Sequence, residues 1–201
     1  MPDDRLRHLL AAGPELPWSD WAMTPAGLAA VCAEIEDGDR RQIVELGPGV
    51  STIVIARLLR RGGDGRLTSV EHDPAWAGWV RGRLEEEGLA ERAAVLVAPL
   101  AEHRLARDGA RWYDGNALTD LPAGGVDLLL VDGPPANLDG MAGGRYPALP
   151  SLAKHLTADA AVVLDDVDRP GERAIIEAWE RETPFRFERL DGARIAIGRR
   201  G

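Results

Sequence analysis

The stretch IVELGPGVST, residues 43–52, decides the fold that the sequence predicts. Its beginning completes a short apolar run that is typical of a buried strand, and its end opens a helical pattern. Gly47 and Gly49 lie between the two, where a missing side chain lets the backbone approach a ligand and the helix start offers free N–H groups. A side chain at either glycine is expected to occupy ligand space. The stretch therefore predicts a strand, a glycine turn and a helix that form a binding site.

Short apolar runs and helical patterns alternate along the rest of the chain. Strands are expected at residues 42–46, 67–71, 93–98, 126–131, 161–164, 185–189 and 194–198. Helices are expected at residues 25–36, 51–61, 74–87, 146–155 and 170–181. This order is typical of parallel strands with helices on both faces, and the short turn at Asp191 and Gly192 makes the last pair antiparallel. The predicted fold is α/β, a Rossmann-like seven-stranded mostly parallel sheet with an antiparallel C-terminal hairpin.

Length and charge limit the organisation and the partners. The 201 residues suit one α/β domain, with residues 1–39 as an N-terminal helical cap segment and residues 40–201 as the core. A net charge of −9 opposes nucleic acid and anionic membranes as partners. The single cysteine, Cys32, excludes an intrachain disulfide. The chain start is not typical of a secretory signal and no apolar run approaches a membrane span, so we expect a cytoplasmic protein.

Acidic residues beside the glycine turn distinguish two candidate cofactors. Glu71 ends the second strand, where a carboxylate can accept hydrogen bonds from both hydroxyls of a ribose. A nicotinamide dinucleotide requires a third glycine in the turn, and Thr52 stands in that place. Glu45 would repel a pyrophosphate but suits the cationic amino group of a methionine moiety. The sequence therefore favours S-adenosylmethionine over a dinucleotide.

The motifs ELGPG (residues 45–49) and VEHD (residues 70–73) resemble the first two cofactor motifs of class I S-adenosylmethionine-dependent methyltransferases. Segments WYD (112–114), VDGPP (131–135) and LDD (164–166) resemble a subgroup of small O-methyltransferase-like domains. The resemblance runs from about residue 18 to the C-terminus.

The resemblance implies a role for each matched residue. Gly47, Gly49 and Ser51 would contact the methionine part of the cofactor, Glu71 the ribose, and residues 98–100 the adenine. Many relatives carry an acid in that last segment, and this chain does not. The complete set of expected cofactor-binding residues is Glu45, Gly47, Pro48, Gly49, Ser51, Thr52, Glu71, His72, Pro99, Leu100 and Asp132.

Asp132, Asp165 and Asp166 follow the fourth and fifth strands, whose carboxyl ends meet at one edge of the sheet. Carboxylates that converge repel one another unless a cation lies between them, and oxygen ligands suit Mg²⁺ or Ca²⁺. The three acids resemble the metal site of catechol-type and antibiotic-sugar O-methyltransferases, which bind Mg²⁺. Alternatively, Asp165 and Asp166 cap the next turn, and Asp132 accepts backbone hydrogen bonds.

The chain departs from these relatives after Asp132. Some relatives carry a lysine or aspartate there as a general base, whereas residues 133–135 of this chain, GPP, cannot accept a proton. His72, Asp139 and His155 stay unranked candidates for the base.

Tryptophans make up two expected groups. Trp76, Trp79 and Trp179 stand at helical spacings and are expected in the core. Residues 18–21, with two tryptophans, lie in a proline-rich segment that can fold over the mouth of the site. Residues 145–146 would form the opposite wall, with a surface loop as the alternative.

The sequence predicts methyl transfer from S-adenosylmethionine to a hydroxyl of a small molecule. Asp132 is the predicted catalytic residue, and a divalent metal is expected to assist. Two alternatives stay open: a metal-independent methyltransferase acting on nitrogen or carboxylate, and a non-catalytic S-adenosylmethionine-binding module. The expected partner is a small-molecule acceptor, without nucleic acid or membrane, and a homodimer is left open.

Overall fold

The computed structural model describes residues 4–121 and 125–201, so the first three residues of the predicted cap segment lie outside the described residues. The helices are α1 (Asp4–Ala11), α2 (Pro25–Asp37), α3 (Val50–Gly62), α4 (Pro74–Glu86), α5 (Ala148–Leu152) and α6 (Pro170–Glu182). The strands are β1 (Gln42–Leu46), β2 (Arg66–Glu71), β3 (Ala93–Val97), β4 (Leu100–Ala101), β5 (Trp112–Tyr113), β6 (Val126–Val131), β7 (Leu156–Leu164), β8 (Phe185–Leu190) and β9 (Ile195–Arg200).

Seven strands form one sheet in the order β3-β2-β1-β6-β7-β9-β8. The first five strands in this order pair in parallel, whereas β9 pairs antiparallel with both β7 and β8. The predicted sheet and its C-terminal hairpin are confirmed. The chain leaves β1 toward β2 on one side and reaches β6 on the other, so the strand order reverses beside β1, where open α/β sheets bind ligands.

The register of the sheet brings the predicted site residues together. Leu46 pairs with Val70 on one side and with Val131 on the other, and Val131 pairs with Leu164. The residues that follow these strand ends therefore lie side by side along one edge. This edge carries the glycine turn, Glu71 and the three aspartates.

Both faces of the sheet are covered, as successive strand residues point in opposite directions. On one face, α1 to α4 pack on strand residues such as Ile43 and Leu128. On the other face, α5 and α6 pack on residues such as Val44 and Leu129, with Trp179 completely buried. The predicted placement of helices on both faces is confirmed. None of the helices within the described ranges is long and apolar enough to cross a membrane.

The helix and strand boundaries of the structure differ most from the predicted ones between α5 and β7, and two short strands were not predicted. The helix expected at residues 146–155 is reduced to α5, followed by a 3₁₀ turn at Ala153–His155. Pro147 and Pro150 lack backbone N–H groups, which limits the helical hydrogen bonds available to this segment. β7 consequently begins five residues before the expected start at residue 161. The two-residue strands β4 and β5 form a separate antiparallel ribbon that is too short to show a periodic pattern.

Buried Arg57 of α3 holds the N-terminal segment against the core. Its Nη1 donates to the Leu9 carbonyl at 3.0 Å, and its Nη2 donates to the Pro14 carbonyl at 3.0 Å. Glu87 pairs with the same guanidinium at 2.7 Å and 2.8 Å. Further along, Thr24 caps α2 and donates to the Ala193 carbonyl at 2.9 Å. The segment between these anchors is thereby placed beside the carboxyl edge of the sheet.

Candidate active site

A cavity of about 630 Å³ opens at the carboxyl ends of β1, β2 and β6. This volume is within the range of small-molecule and cofactor sites. Its lining combines the glycine turn, acidic and basic side chains, and aromatic rings. It includes Trp18, Trp21, Gly47, Pro48, Gly49, Ser51, Glu71, His72, Trp76, Tyr113, Asp132, Arg145, Asp166 and Arg169. The expectation that residues 18 and 21 border the site is consistent with this lining, as is the expectation for Arg145. Tyr146, which was expected on the same wall, lies outside the lining and is buried in the core.

The two glycines of the turn have different reasons to be glycine. Gly47 has a φ of +89°, and a Cβ there would lie 2.9 Å from the Gly133 nitrogen and 3.0 Å from the Asp132 carbonyl carbon. A Cβ on Gly49 would meet nothing within 4 Å, and its backbone is extended. Gly47 is therefore required by backbone packing between two loops, whereas only Gly49 faces open space. The expectation that a side chain would occupy ligand space is replaced by backbone packing at Gly47 and stays a prediction at Gly49.

Glu45 lies fully buried beneath this turn. Its carboxylate accepts hydrogen bonds from Ser51 at 2.5 Å, Thr52 at 2.6 Å and Ser69 at 2.5 Å. The Thr52 hydroxyl also accepts from the Gly49 N–H at 2.9 Å. Burial raises the pKa of Glu45, and the three hydroxyls oppose that rise. Glu45 and Thr52 thus hold the turn from behind and lie outside the cavity lining, so their predicted cofactor contacts stay predictions.

Ser69, the third donor to Glu45, is not among the site residues that the sequence predicted. Ser69 lies in β2 directly opposite Glu45 in the strand register. A hydroxyl inside an otherwise apolar run beside an equally buried acid is the signal that would have paired them.

The segment after β2 forms the opposite side of the cavity. Glu71 Oε1 accepts from the backbone N–H groups of His72 and Asp73, both at 2.7 Å, and lies 2.6 Å from His72 Nδ1. By accepting from the protonated imidazole, the Glu71 carboxylate raises the pKa of His72. The predicted ribose residue Glu71 and its neighbour His72 therefore form one charged wall. Predicted adenine residues Pro99 and Leu100 lie outside the lining, with Pro99 exposed and Leu100 half-buried.

Trp76 overturns part of the expectation for the tryptophans. It is 39% exposed, lines the cavity, and its indole N–H donates to the Pro48 carbonyl at 2.7 Å. Trp76 stacks on half-buried Trp79 with ring centroids 4.7 Å apart. The expected core position is therefore wrong for Trp76 and right for Trp179. Helical spacing places a residue on a face but does not say whether that face meets the core or a cavity.

The three aspartates meet as predicted, with one carboxylate oxygen of each lying within 4.8 Å of the others. Asp132, Asp165 and Asp166 are called the acid cluster below. The buried Arg145 side chain lies among them, with Nη2 3.2 Å from Asp132 Oδ1 and Nη1 3.1 Å from Asp166 Oδ2. Asp166 also pairs with Arg169 at 2.7 Å and Arg194 at 2.6 Å. The cluster therefore already contains a protein cation.

Burial and mutual repulsion govern the protonation of the acid cluster. Burial raises the pKa of Asp132 well above its usual range, the charge of Asp165 adds to the rise, and Arg145 opposes it. Burial and the charge of Asp166 raise the pKa of Asp165 to about 6. Asp165 Oδ1 is buried and has no hydrogen-bond partner among the described residues. A carboxylate with a raised pKa is a stronger proton acceptor than an exposed one.

Two further side chains bear on the chemistry. The Tyr113 hydroxyl is buried at the cavity wall and has no partner within the part of the chain that the structure describes. Buried hydroxyls are ordinarily paired, so a bound molecule or water is expected to supply the partner. Of the candidate bases, His72 lines the cavity, whereas Asp139 and His155 lie outside its lining.

A protein-family profile described as a methyltransferase domain matches residues 44–167. The chain belongs to this methyltransferase family. The matched residues include the glycine turn, Glu71 and the whole acid cluster, and the family prediction from the sequence motifs is confirmed. No curated protein sequence matches this methyltransferase.

Solved structures share the fold of this methyltransferase. SAH-bound PaMTH1 from Podospora anserina has 17% identity and a TM-score of 0.68, and the match covers 100% of this chain and 89% of that one. The O-methyltransferase TomG from Streptomyces achromogenes, in complex with SAM, has 21% identity and a TM-score of 0.61, with 100% and 91% covered. An O-methyltransferase from Bacillus cereus in complex with SAH has 19% identity and a TM-score of 0.64, with 99% and 91% covered.

Proposed function

We propose that the cavity binds S-adenosylmethionine and that this methyltransferase moves the methyl group to a hydroxyl of a small molecule. The observation that carries the proposal is the open space in front of Gly49, bordered by the Glu71 carboxylate at the reversal point of the sheet. Similar folds were solved with S-adenosylmethionine (SAM) or its demethylated product (SAH), which supports this donor.

The donor is expected to lie across the turn between β1 and α3. Gly49 lets the methionine part approach the backbone, and the first turn of α3 offers N–H groups to its carboxylate. Glu71 accepts the ribose hydroxyls from the far side. Glu45 keeps the turn in this shape through its hydroxyl partners, from behind the surface that the donor contacts.

The reaction is an in-line displacement, in which the protein aligns donor and acceptor and receives one proton. A bond forms between the acceptor oxygen and the methyl carbon, the bond from that carbon to the sulfonium sulfur breaks, and SAH leaves. The Asp132 carboxylate is the group we assign to accept the hydroxyl proton, because it lines the cavity and the Arg145 guanidinium, 3.2 Å from its Oδ1, favours the ionised form. With Asp132 as the base, no proton acceptor is needed in the loop after β6, and neither Asp139 nor His155 is required.

A small acceptor fits the surroundings of the site. The cavity has the volume of a small-molecule pocket, and aromatic side chains at Trp18, Trp21 and Trp76 form much of its exposed wall. The net charge of −9 continues to oppose a nucleic-acid acceptor. The cytoplasmic location and the small-molecule partner are part of this proposal.

The predicted divalent metal requires a separate fit test. Mg²⁺ lies about 2.0–2.1 Å from its oxygen ligands and needs near-octahedral space. The Arg145 guanidinium lies between Asp132 and Asp166, where the ion would have to bind. Asp166 is also paired with Arg169 and Arg194. The residues do not fit a divalent ion while Arg145 stays in place, so no step of the proposed reaction passes through one.

Calorimetry with S-adenosylmethionine, SAH and NAD tests the donor. We expect micromolar binding of the first two and none of NAD. Glu71→Gln should weaken binding by about 1.5–3 kcal/mol, the range for hydrogen bonds to a charged group. Glu91→Gln, on an exposed turn away from the cavity, is the matched control and should bind as the wild type does. Tighter binding of NAD than of S-adenosylmethionine would refute the donor assignment.

Turnover tests the acceptor class. SAH release is measured over panels of hydroxyl, amine and carboxylate compounds, and release is expected with the hydroxyl panel. Asp132→Asn should bind the donor normally and lose most turnover, since the amide cannot accept the proton. Transfer to amines alone would replace the hydroxyl assignment with the nitrogen alternative.

A further inference from the structure

We propose that the Arg145 guanidinium is the resident cation of the acid cluster, standing where the resemblance implies a divalent ion, and that it positions Asp132 so that no divalent ion is needed. The second half of this statement rests on the proposed function, and the first half does not. In this arrangement the Arg145 side chain, and not a metal ion, neutralises the three carboxylates.

Every N–H of the Arg145 guanidinium has an oxygen within reach. Nε donates to the Pro134 carbonyl at 3.3 Å, and Nη1 donates to the Asp165 carbonyl at 3.3 Å while lying 3.1 Å from Asp166 Oδ2. Nη2 donates to the Asp132 carbonyl at 2.7 Å and to Asp132 Oδ1 at 3.2 Å. A guanidinium carries five such donors in a fixed plane. Four of these contacts are hydrogen bonds and the contact with Asp166 is an ion pair, and together they engage the loop after β6 and the residues that follow β7.

The negative charges of the acids around Arg145 are nearly matched by the positive charges of the neighbouring arginines. Glu172 adds a fourth acid, with Oε1 3.8 Å from Arg145 Nη1, and its pKa is raised by burial while Arg145 opposes the rise. Facing these acids are Arg145 itself, Arg169 and Arg194. A divalent ion would add two further positive charges next to a buried guanidinium. Repulsion of like charges in a buried setting opposes that addition.

Arginine side chains already engage carboxylate oxygens of the acid cluster that a divalent ion would use. Asp165 Oδ1 is buried and unpaired, but both oxygens of Asp166 are engaged by arginines, and Asp132 Oδ1 by Arg145. Mg²⁺ and Ca²⁺ require several oxygen ligands in a shell around the ion. One carboxylate oxygen of each aspartate lies within 4.8 Å of the others, so removing the Arg145 side chain would leave three acids close together without their buried cation.

Arg145 acts through Asp132. Its backbone and carboxylate contacts fix both the loop after β6 and the Asp132 side chain at the cavity wall. Because each of its three guanidinium nitrogens contacts a protein oxygen, Arg145 is a positioning residue. Asp132 remains the group that meets the acceptor. A structural role alone would predict lost stability without any change in affinity for metal ions.

Mn²⁺ binding, followed by electron paramagnetic resonance without donor or acceptor, tests the inference. Wild-type protein should bind Mn²⁺ no more tightly than about 1 mM, the weak end of oxygen-ligand sites. Arg145→Met should bind at least about tenfold more tightly, because the acids lose their internal cation. Adding Asp165→Asn to Arg145→Met should remove the gain. Arg145→Lys, which keeps the charge, and Arg66→Met, at an exposed position at the start of β2 and away from the acid cluster, should both resemble the wild type.

Each result counts for or against the inference. Micromolar Mn²⁺ binding by the wild type overturns it, and so does a folded Arg145→Met protein that gains no affinity. If Arg145→Met does not fold, the wild-type titration and the melting temperature with Mg²⁺ or EDTA decide, and we expect neither reagent to shift it. Wild-type turnover should be unchanged by EDTA. Failure of the proposed function appears instead as absent S-adenosylmethionine binding, which the Mn²⁺ measurement does not involve.

Discussion

Neighbouring strands of this methyltransferase bury carboxylates in two different ways. At β1, Glu45 carries one charge and is satisfied by three neutral hydroxyls from Ser51, Thr52 and Ser69. At the ends of β6 and β7, the acid cluster is held by the Arg145 guanidinium. Burial raises the pKa of an acid in both regions. The difference lies in the number of charges that share the space.

The comparison shows when neutral donors suffice. A lone carboxylate offers about four acceptor positions, and hydroxyls can rotate to fill them. Carboxylates in contact also repel one another, and only an opposite charge offsets that repulsion. The hydroxyl arrangement is assembled from β1, β2 and the start of α3, whereas the cation arrives from the loop before α5. We therefore expect the second region to depend far more on a single side chain.

The largest expected effect is the loss of stability in Arg145→Met. Removing one partner from a buried charge cluster leaves uncompensated carboxylates and costs about 3–5 kcal/mol. The free energy of unfolding from urea titration at neutral pH measures it. Arg194→Met, whose side chain is 37% exposed, is the control and should cost less than about 1 kcal/mol. Equal losses in the two variants would mean that Arg145 has no special role.

The next effect is a change in pH dependence in Asp165→Asn. The pKa of Asp165 is about 6 in the folded protein, above its ordinary value of 3.8. Between these values the folded protein keeps a proton that the unfolded chain has released. The resulting stability is fully present below the lower value and is lost as pH rises through the upper one. Asparagine does not titrate, so the variant should gain up to about 3 kcal/mol relative to the wild type between the two limits.

Urea titrations at a series of pH values around this window measure the difference between the two proteins. The relevant quantity is the change in that difference with pH, since carboxylates outside the acid cluster contribute equally to both proteins. Asp139→Asn, on an exposed loop outside the cavity lining, is the control and should follow the wild-type curve. Parallel curves for Asp165→Asn and the wild type would show that folding does not shift the pKa of Asp165.

The sequence predicted one of these regions more fully than the other. The glycine turn is a local pattern, and the structure has it at the predicted position between β1 and α3. The alternation of strands with helices also sufficed to place Asp132 and Asp165 at one edge, because parallel strands end together.

Local sequence patterns could not predict which side chains pair with the buried acids. Arg145 lies 13 residues after Asp132 in a loop with no periodicity, and nothing in its neighbours shows that its side chain turns inward. Ser69 reaches Glu45 only through the pairing of β1 with β2. Trp76 was misplaced since helical spacing does not identify what a face contacts. In each case, long-range packing decides the outcome.

Within the glycine turn, Gly47→Ala and Gly49→Ala should separate stability from binding. Gly47 has a positive φ and its Cβ would press on the loop after β6, so its replacement should cost about 2 kcal/mol of stability. Gly49→Ala should change stability by less than about 0.5 kcal/mol, because its Cβ enters open space. Calorimetry should show the Gly49 variant binding S-adenosylmethionine more weakly. A stable Gly47→Ala protein would contradict the packing argument.

The smallest expected effect returns to Glu45, where Glu45→Gln removes a charge that has no cation beside it. Burial opposes the charged form of Glu45 and the hydroxyls favour it, so the neutral amide gives up hydrogen-bond strength but escapes part of the cost of burial. Ser51 and Ser69 can rotate to accept from the new amide group. We therefore expect a loss of no more than about 1 kcal/mol at neutral pH, by the same urea titration. Glu45→Ala, which leaves three hydroxyls without an acceptor, is the comparison variant and should lose more. A loss in Glu45→Gln as large as that in Arg145→Met would mean that the charge itself is stabilised at β1, and the distinction between the two regions would fail.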